Sequence, residues 1–99
     1  MPLETIPLKP LHAAETGLSP QKIKTICDTI TGDPAVGNRV RRIVLFGSRA
    51  KGTWREGSDI DLAVVAPGVP QTAGWRWSDE LEERLFPWSV DCIVIDDHS

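Results

Sequence analysis

The sequence predicts a small α/β (α+β) domain in which a mixed sheet of about three or four strands is flanked by helices. Three observations lead there. β-Branched and apolar runs at 40–46, 59–65 and 90–95 alternate with stretches of helical periodicity. Their order of helix, strand, loop, strand, helix, strand suits helices packed on a sheet. With 99 residues, 40% of them hydrophobic, the chain makes one domain with a small core.

Residues 1–18 are expected to form an N-terminal extension, because Pro2, Pro7 and Pro10 interrupt a segment of weak periodicity; the domain proper is residues 19–99. Ser19 is a good N-cap, Pro20 suits the first helical position, and Leu18 can staple onto Ile23. Ile23, Ile26, Cys27 and Ile30 then form an apolar stripe that Gly32, Asp33 and Pro34 end. Val40 to Phe46 reads as a strand whose last four residues are apolar on both faces, as in a strand covered on both sides. Asp59 to Val65 reads as a second strand, with Ile60, Leu62 and Val64 on one face and Asp59, Asp61 and Ala63 on the other. Pro67, Gly68, Pro70 and Gly74 suggest a loop, Ser78-Asp79-Glu80 the opening of a short helix that presents Trp77, Leu81 and Leu85, and Pro87 its end. Val90 to Ile95 is the third strand.

Composition narrows the function classes. No secretory hydrophobic region and no 18-residue apolar span occur, so a cytoplasmic protein with no membrane partner is expected. Cys27 and Cys92 lack metal-ligand spacing and read as reduced core thiols. A net charge of −3 argues against stable nucleic-acid binding. The charge is nevertheless polarised. Arg39, Arg41, Arg42, Arg49, Lys51 and Arg55 follow one another without an acid, and from Glu56 onward the acids face only Arg76 and Arg84. The sign changes inside the stretch "LFGSRAKGTWREGSDIDLAVV", residues 45–65.

That stretch carries the chemistry. On a strand, Asp59 and Asp61 project from one face, and two adjacent carboxylates repel unless a cation lies between them. Mg²⁺ takes oxygen ligands and leaves positions for phosphates. Gly47 permits a tight turn after the preceding strand, and a helical turn over Ser48 to Lys51 would offer backbone N–H groups, the Ser48 hydroxyl, Arg49 and Lys51 to an anion. A two-metal phosphate site asks for a further carboxylate on an adjacent strand, to bind an ion or take a proton from an attacking hydroxyl. Asp91, in an otherwise apolar run and costly to bury without a partner, is the candidate.

"GSRAKGTWREGSDIDLAV" followed by "VDCIVID" resembles the nucleotidyltransferase fold of the DNA polymerase beta superfamily, and within it the minimal nucleotidyltransferases. Their signature is Gly-Ser, ten residues, then Asp-x-Asp, met here by Gly47-Ser48 and Asp59-Ile60-Asp61. The resemblance implies that Gly47 and Ser48, with Arg49 and Lys51 beside them, hold a nucleoside triphosphate, and that Asp59, Asp61 and Asp91 bind Mg²⁺, two ions in all. It implies transfer of a nucleoside monophosphate, usually AMP from ATP, to a hydroxyl. Small members of this branch commonly act as antitoxins beside a helical HEPN-domain toxin, and the resemblance then implies a toxin tyrosine as acceptor. Relatives often continue into a further C-terminal helix, whereas this chain ends four residues after Ile95. The alternatives are a catalytically silent module that occludes its partner and an enzyme of the aminoglycoside-modifying kind. Exposed sheet edges would favour pairing with a second copy or a partner. Among the aromatics, Trp77 and Trp88 are expected in the core, and Trp54 is the candidate for stacking on a base or touching a partner. His12 and His98 receive no role.

Overall fold

The structure is a computed structural model that describes residues 9–11 and 16–96. His12, Asp97 and His98 therefore lie outside the described residues, as do Pro2 and Pro7. The elements are β1 (Lys9–Pro10), α1 (Pro20–Thr31), β2 (Arg42–Phe46), α2 (Gly47–Lys51), β3 (Ile60–Val65), α3 (Gln71–Arg84) and β4 (Val90–Ile95). The four strands form one mixed sheet in the order β1-β2-β3-β4. β1 and β3 run antiparallel to β2, and β4 runs parallel to β3.

Helix α1 starts where its caps place it. The Ser19 hydroxyl accepts from the Lys22 N–H at 3.2 Å, which satisfies one of the amides a helix start leaves without a partner. At the other end the Gly32 N–H donates to the Asp28 carbonyl at 3.0 Å. Ile26 and Ile30 are fully buried, while Ile23 and Cys27 flank the core half-buried. The following strand starts at Arg42 rather than Val40, because a 3₁₀ turn over Gly37–Arg39 leaves Val40 bonding back to Gly37 at 3.3 Å.

Register decides the faces of the sheet. Leu45, Leu62 and Cys92 are aligned across β2, β3 and β4. With Ile60, Val64, Val90 and Val94 they join Ile26 and Ile30 of α1 and Trp77 and Leu81 of α3 in one core. Fully burying side chains of this size stabilises by about 1.5–3 kcal/mol each before entropy is counted. The extension also takes part, since Lys9 and Pro10 pair with Leu45 and Val44 and Leu11 is buried in the core.

Helix α3 departs most from the sequence reading. It begins at Gln71, seven positions before Ser78, so Gly74 is helical rather than part of a loop. The reason is a close approach. A Cβ at Gly74 would lie 2.9 Å from the Cys92 carbonyl oxygen, so the missing side chain lets α3 lie against β4. The same face clasps the outer edge of that strand. Glu82 accepts from the Val90 N–H at 3.0 Å, Ser78 from the Cys92 N–H at 2.8 Å, and Gln71 from the Val94 N–H at 3.0 Å while donating to the Val94 carbonyl. Gln71, Gly74, Ser78 and Glu82 thus form one helical stripe, and its side chains occupy the outward amides of the β4 edge.

A second tie holds the helices together. Asp33, just past α1, accepts from Arg76 Nη1 and from Trp77 Nε1, both at 3.0 Å, and from the Ala35 and Val36 amides. Burial alone would push its carboxyl up, but these four bonds hold it below the usual carboxylate range. Trp77 is core, as its position implied, and Trp88 packs half-buried with Lys22 Nζ 4.1 Å from its ring centre. Among the described residues no helix is long and apolar enough to cross a membrane.

Candidate active site

The antiparallel β2–β3 pair brings the ends of the Gly-Ser and Asp-x-Asp segments together. Phe46, the last residue of β2, is paired with Asp61, and Asp61 is paired in turn with Asp91 on β4. Partners in register share a face, so Asp61 and Asp91 lie side by side on the face opposite the helix-covered core. Asp59 stands two residues earlier, exposed at the mouth of β3. Asp91 is exposed as well. The apolar run around it alternates in and out, with Val90, Cys92 and Val94 buried and Ile93 36% exposed. The expected burial cost of Asp91 therefore does not arise.

Helix α2 follows β2 directly, as the Gly-Ser turn suggested, and spans Gly47 to Lys51. Gly47 sits at φ +69°, a conformation glycine tolerates and L side chains rarely adopt. Its neighbour is Asp61: a Cβ at position 47 would collide with the Asp61 carboxylate. Gly47 is thus required twice, once by the backbone turn and once by the acid packed against it. Ser48 is half-buried beside it and Lys51 is exposed one turn further on.

The electrostatics identify Asp61 as the centre of the cluster. Burial pushes its carboxyl up, and the charges of Asp91 and then Asp59 push it further, with Arg49 opposing. A carboxylate crowded by two others in this way is relieved by a cation, and hard carboxylate oxygens suit Mg²⁺. The side chains are not closed around a single point, since among the described residues no three His, Cys, Asp or Glu groups are arranged to hold a metal. Asp59 and Asp91 are exposed and free to turn on the ps–ns timescale of surface side chains. The residue types and their shared face therefore fit a divalent ion that draws them together.

Two residues differ from their expected roles. Arg49 does not extend into solvent as a phosphate ligand: it is 2% exposed, and its guanidinium donates to the Thr16 carbonyl at 2.9 Å and the Ser58 carbonyl at 3.0 Å. Trp54 does not stand out from the loop to stack on a base. It is half-buried, its ring centre lies 5.4 Å from Arg49 Cζ, and its six-membered ring covers Gly17. Sequence reasoning missed Thr16, Gly17 and Ser58 as parts of this region; the one local signal was a glycine beside a Thr in an otherwise unassigned arm. A cleft of about 340 Å³ lies elsewhere, between the end of α1 and α3. It is lined by Asp33, Arg76 and Trp77 and by none of the carboxylates of the cluster.

A mixed sheet flanked by helices, with one strand ending in a glycine turn beside an acid, defines a domain of the α+β class. The comparison with known families makes this specific: residues 21–98 match the nucleotidyltransferase domain, and the chain belongs to that family, within the polymerase beta superfamily. The family assignment carries nucleotidyl transfer as the general chemistry and a nucleotidyltransferase as the kind of enzyme. No curated protein matches the chain.

Proposed function

We propose that the protein transfers AMP from ATP, with Mg²⁺, to a hydroxyl on a partner protein, a tyrosine of a HEPN-type toxin being the leading acceptor. The observation that carries the reading is the contact of Gly47 with Asp61, with Asp91 directly across on β4. Gly47 and Ser48 would receive the triphosphate, with Lys51 adding charge from the surface. Asp59, Asp61 and Asp91 would hold Mg²⁺, which when bound neutralises the phosphates and the developing charge on the leaving pyrophosphate. The acceptor oxygen bonds to the α-phosphorus as the bond to the bridging oxygen of pyrophosphate breaks. Asp91, exposed on β4, would be the carboxylate that takes the acceptor proton. Because Asp59, Asp91 and Lys51 are all exposed, an acceptor carried on a large surface can reach them.

The test is co-expression with the neighbouring gene product followed by intact mass of that product. A gain of one or more AMP units is expected, and its loss in Asp61→Asn. An unmodified partner, together with no transfer from ATP labelled at the α-phosphate to any acceptor tried, would count against the reading. The competing account is a silent module that neutralises its partner by occlusion. Asp59→Asn/Asp61→Asn separates the two, since occlusion survives the double substitution and AMP transfer does not.

A further inference from the structure

We infer that Thr16 and Gly17, upstream of the segment that matches the family, form a working part of the active site as a clamp on the loop that carries Asp59. This deepens the nucleotidyl-transfer reading and rests on it. One guanidinium joins three pieces of chain. Arg49 belongs to the short helix begun by Gly47 and Ser48, and it reaches the carbonyl of Thr16 on one side and that of Ser58 on the other. Ser58 immediately precedes Asp59, and its own hydroxyl and amide close the loop onto Arg55 at 2.7 and 2.9 Å. The position of Asp59 relative to Ser48 is therefore set through Arg49.

The second contact of the clamp is apolar. Gly17 adopts φ +76°, and a Cβ there would lie 2.6 Å from two carbons of the Trp54 ring. The indole thus packs on bare backbone while its ring also lies near the Arg49 guanidinium. Thr16 is fully buried and Arg49 nearly so, although Thr16 belongs to the extension of weak periodicity and Arg49 was expected to face an anion. Burying a guanidinium is costly unless its donors are used, and Arg49 Nε is left without a hydrogen bond among the described residues. Two backbone carbonyls are modest compensation for that cost. The gain lies in geometry, because a planar fork fixes two carbonyls at a set distance in a way a lysine cannot. Arg49 is accordingly a positioning residue that acts on the acids through Ser58.

The test compares full-length wild type with Arg49→Lys, which keeps the charge and loses the fork, and with Gly17→Ala, which leaves Arg49 intact and displaces Trp54. Two quantities are read at a temperature where circular dichroism shows each variant folded: hydrogen exchange of the amides from 53 to 61, and Mn²⁺ affinity by electron paramagnetic resonance in the presence of a non-hydrolysable ATP analogue. Faster exchange confined to this loop and a metal affinity lower by about tenfold are expected, the size seen when the groups that orient metal ligands are lost. Loop exchange equal to wild type in both variants would overturn the clamp. Should wild type itself bind no Mn²⁺ with the analogue, the transfer reading falls, and loop exchange alone still decides the clamp.

Discussion

Asp61 and Asp91 face each other across the parallel β3–β4 pair, with Gly47 packed on the carboxylate of Asp61. Asp61 carries a carboxyl whose ionised form the fold disfavours, through burial first and then through Asp91 and Asp59. A folded-state value above the unfolded one contributes stability that is fully present below the unfolded value, around pH 4, and is lost as pH rises through the folded value. Asp61→Asn should therefore raise the metal-free melting temperature at pH 7 while abolishing transfer. Like charges directly opposite on a sheet cost about 0.2–1 kcal/mol, which corresponds to roughly 1–8 °C in a domain of this size. Thermal melts at pH 4 and pH 7 check this, and a variant less stable than wild type at pH 7 would contradict the crowding.

Metal should reverse the same strain. Adding Mg²⁺ with a non-hydrolysable nucleotide at pH 7 is expected to raise the melting temperature of wild type, and EDTA to return it to the starting value. The rise should be absent from Asp59→Asn/Asp61→Asn. Differential scanning fluorimetry gives the comparison, and equal stabilisation of both proteins would place the metal elsewhere.

Asp33 should behave in the opposite sense with pH. Its carboxyl is held low by the amides of Ala35 and Val36 and by Arg76 and Trp77, against a burial that alone would raise it. Its contribution is present above the unfolded value and lost as pH falls through the folded one. Asp33→Ala should cost about 1.5–3 kcal/mol at pH 7, the range for hydrogen bonds to a charged group, and much less near pH 2. Urea unfolding at the two pH values measures this.

The α3 clasp predicts a change of assembly. Ser78→Ala leaves the N–H of the buried Cys92 without its partner and should destabilise by about 1–3 kcal/mol. Removing Gln71, Ser78 and Glu82 together frees the β4 edge for strand addition. Size-exclusion chromatography of Gln71→Ala/Ser78→Ala/Glu82→Ala should then show oligomers at concentrations where Ser78→Ala alone elutes as wild type does.

The cysteines offer a further check on packing. Burial pushes the Cys92 thiol up to about 12 despite its bond with Ser78. At pH 8 it should resist a thiol-specific reagent in the folded protein and react at once in denaturant. Rapid native labelling at Cys92, located by peptide mass, would show the core to be open there.

Much of this was legible in local pattern. Ser19-Pro20, the stripe of Ile26 and Ile30 and the limits of β4 follow from capping and period, which depend on neighbours in sequence. The Gly47-Ser48 and Asp59-x-Asp61 spacing anticipated that these segments meet, because a fixed loop between paired strands makes chain distance a proxy for spatial distance. Helix α3 was misread because glycine and proline signal turns only where nothing packs on them, and at Gly74 a strand does. Asp91 was expected to be burdened by burial because Ile93 hides the alternation of its strand.

The sequence by itself determined the acids, the glycine turn and the order of elements, since each rests on residue chemistry and short-range geometry. Only the tertiary structure decided that Arg49 turns inward, that Thr16 and Gly17 close on the loop, and that α3 side chains occupy the β4 edge. Those outcomes depend on which distant backbone carbonyls and amides come within bonding reach. A guanidinium takes whichever acceptors the packed chain presents, and nothing in its local sequence says whether they will be a phosphate or residues 16 and 58.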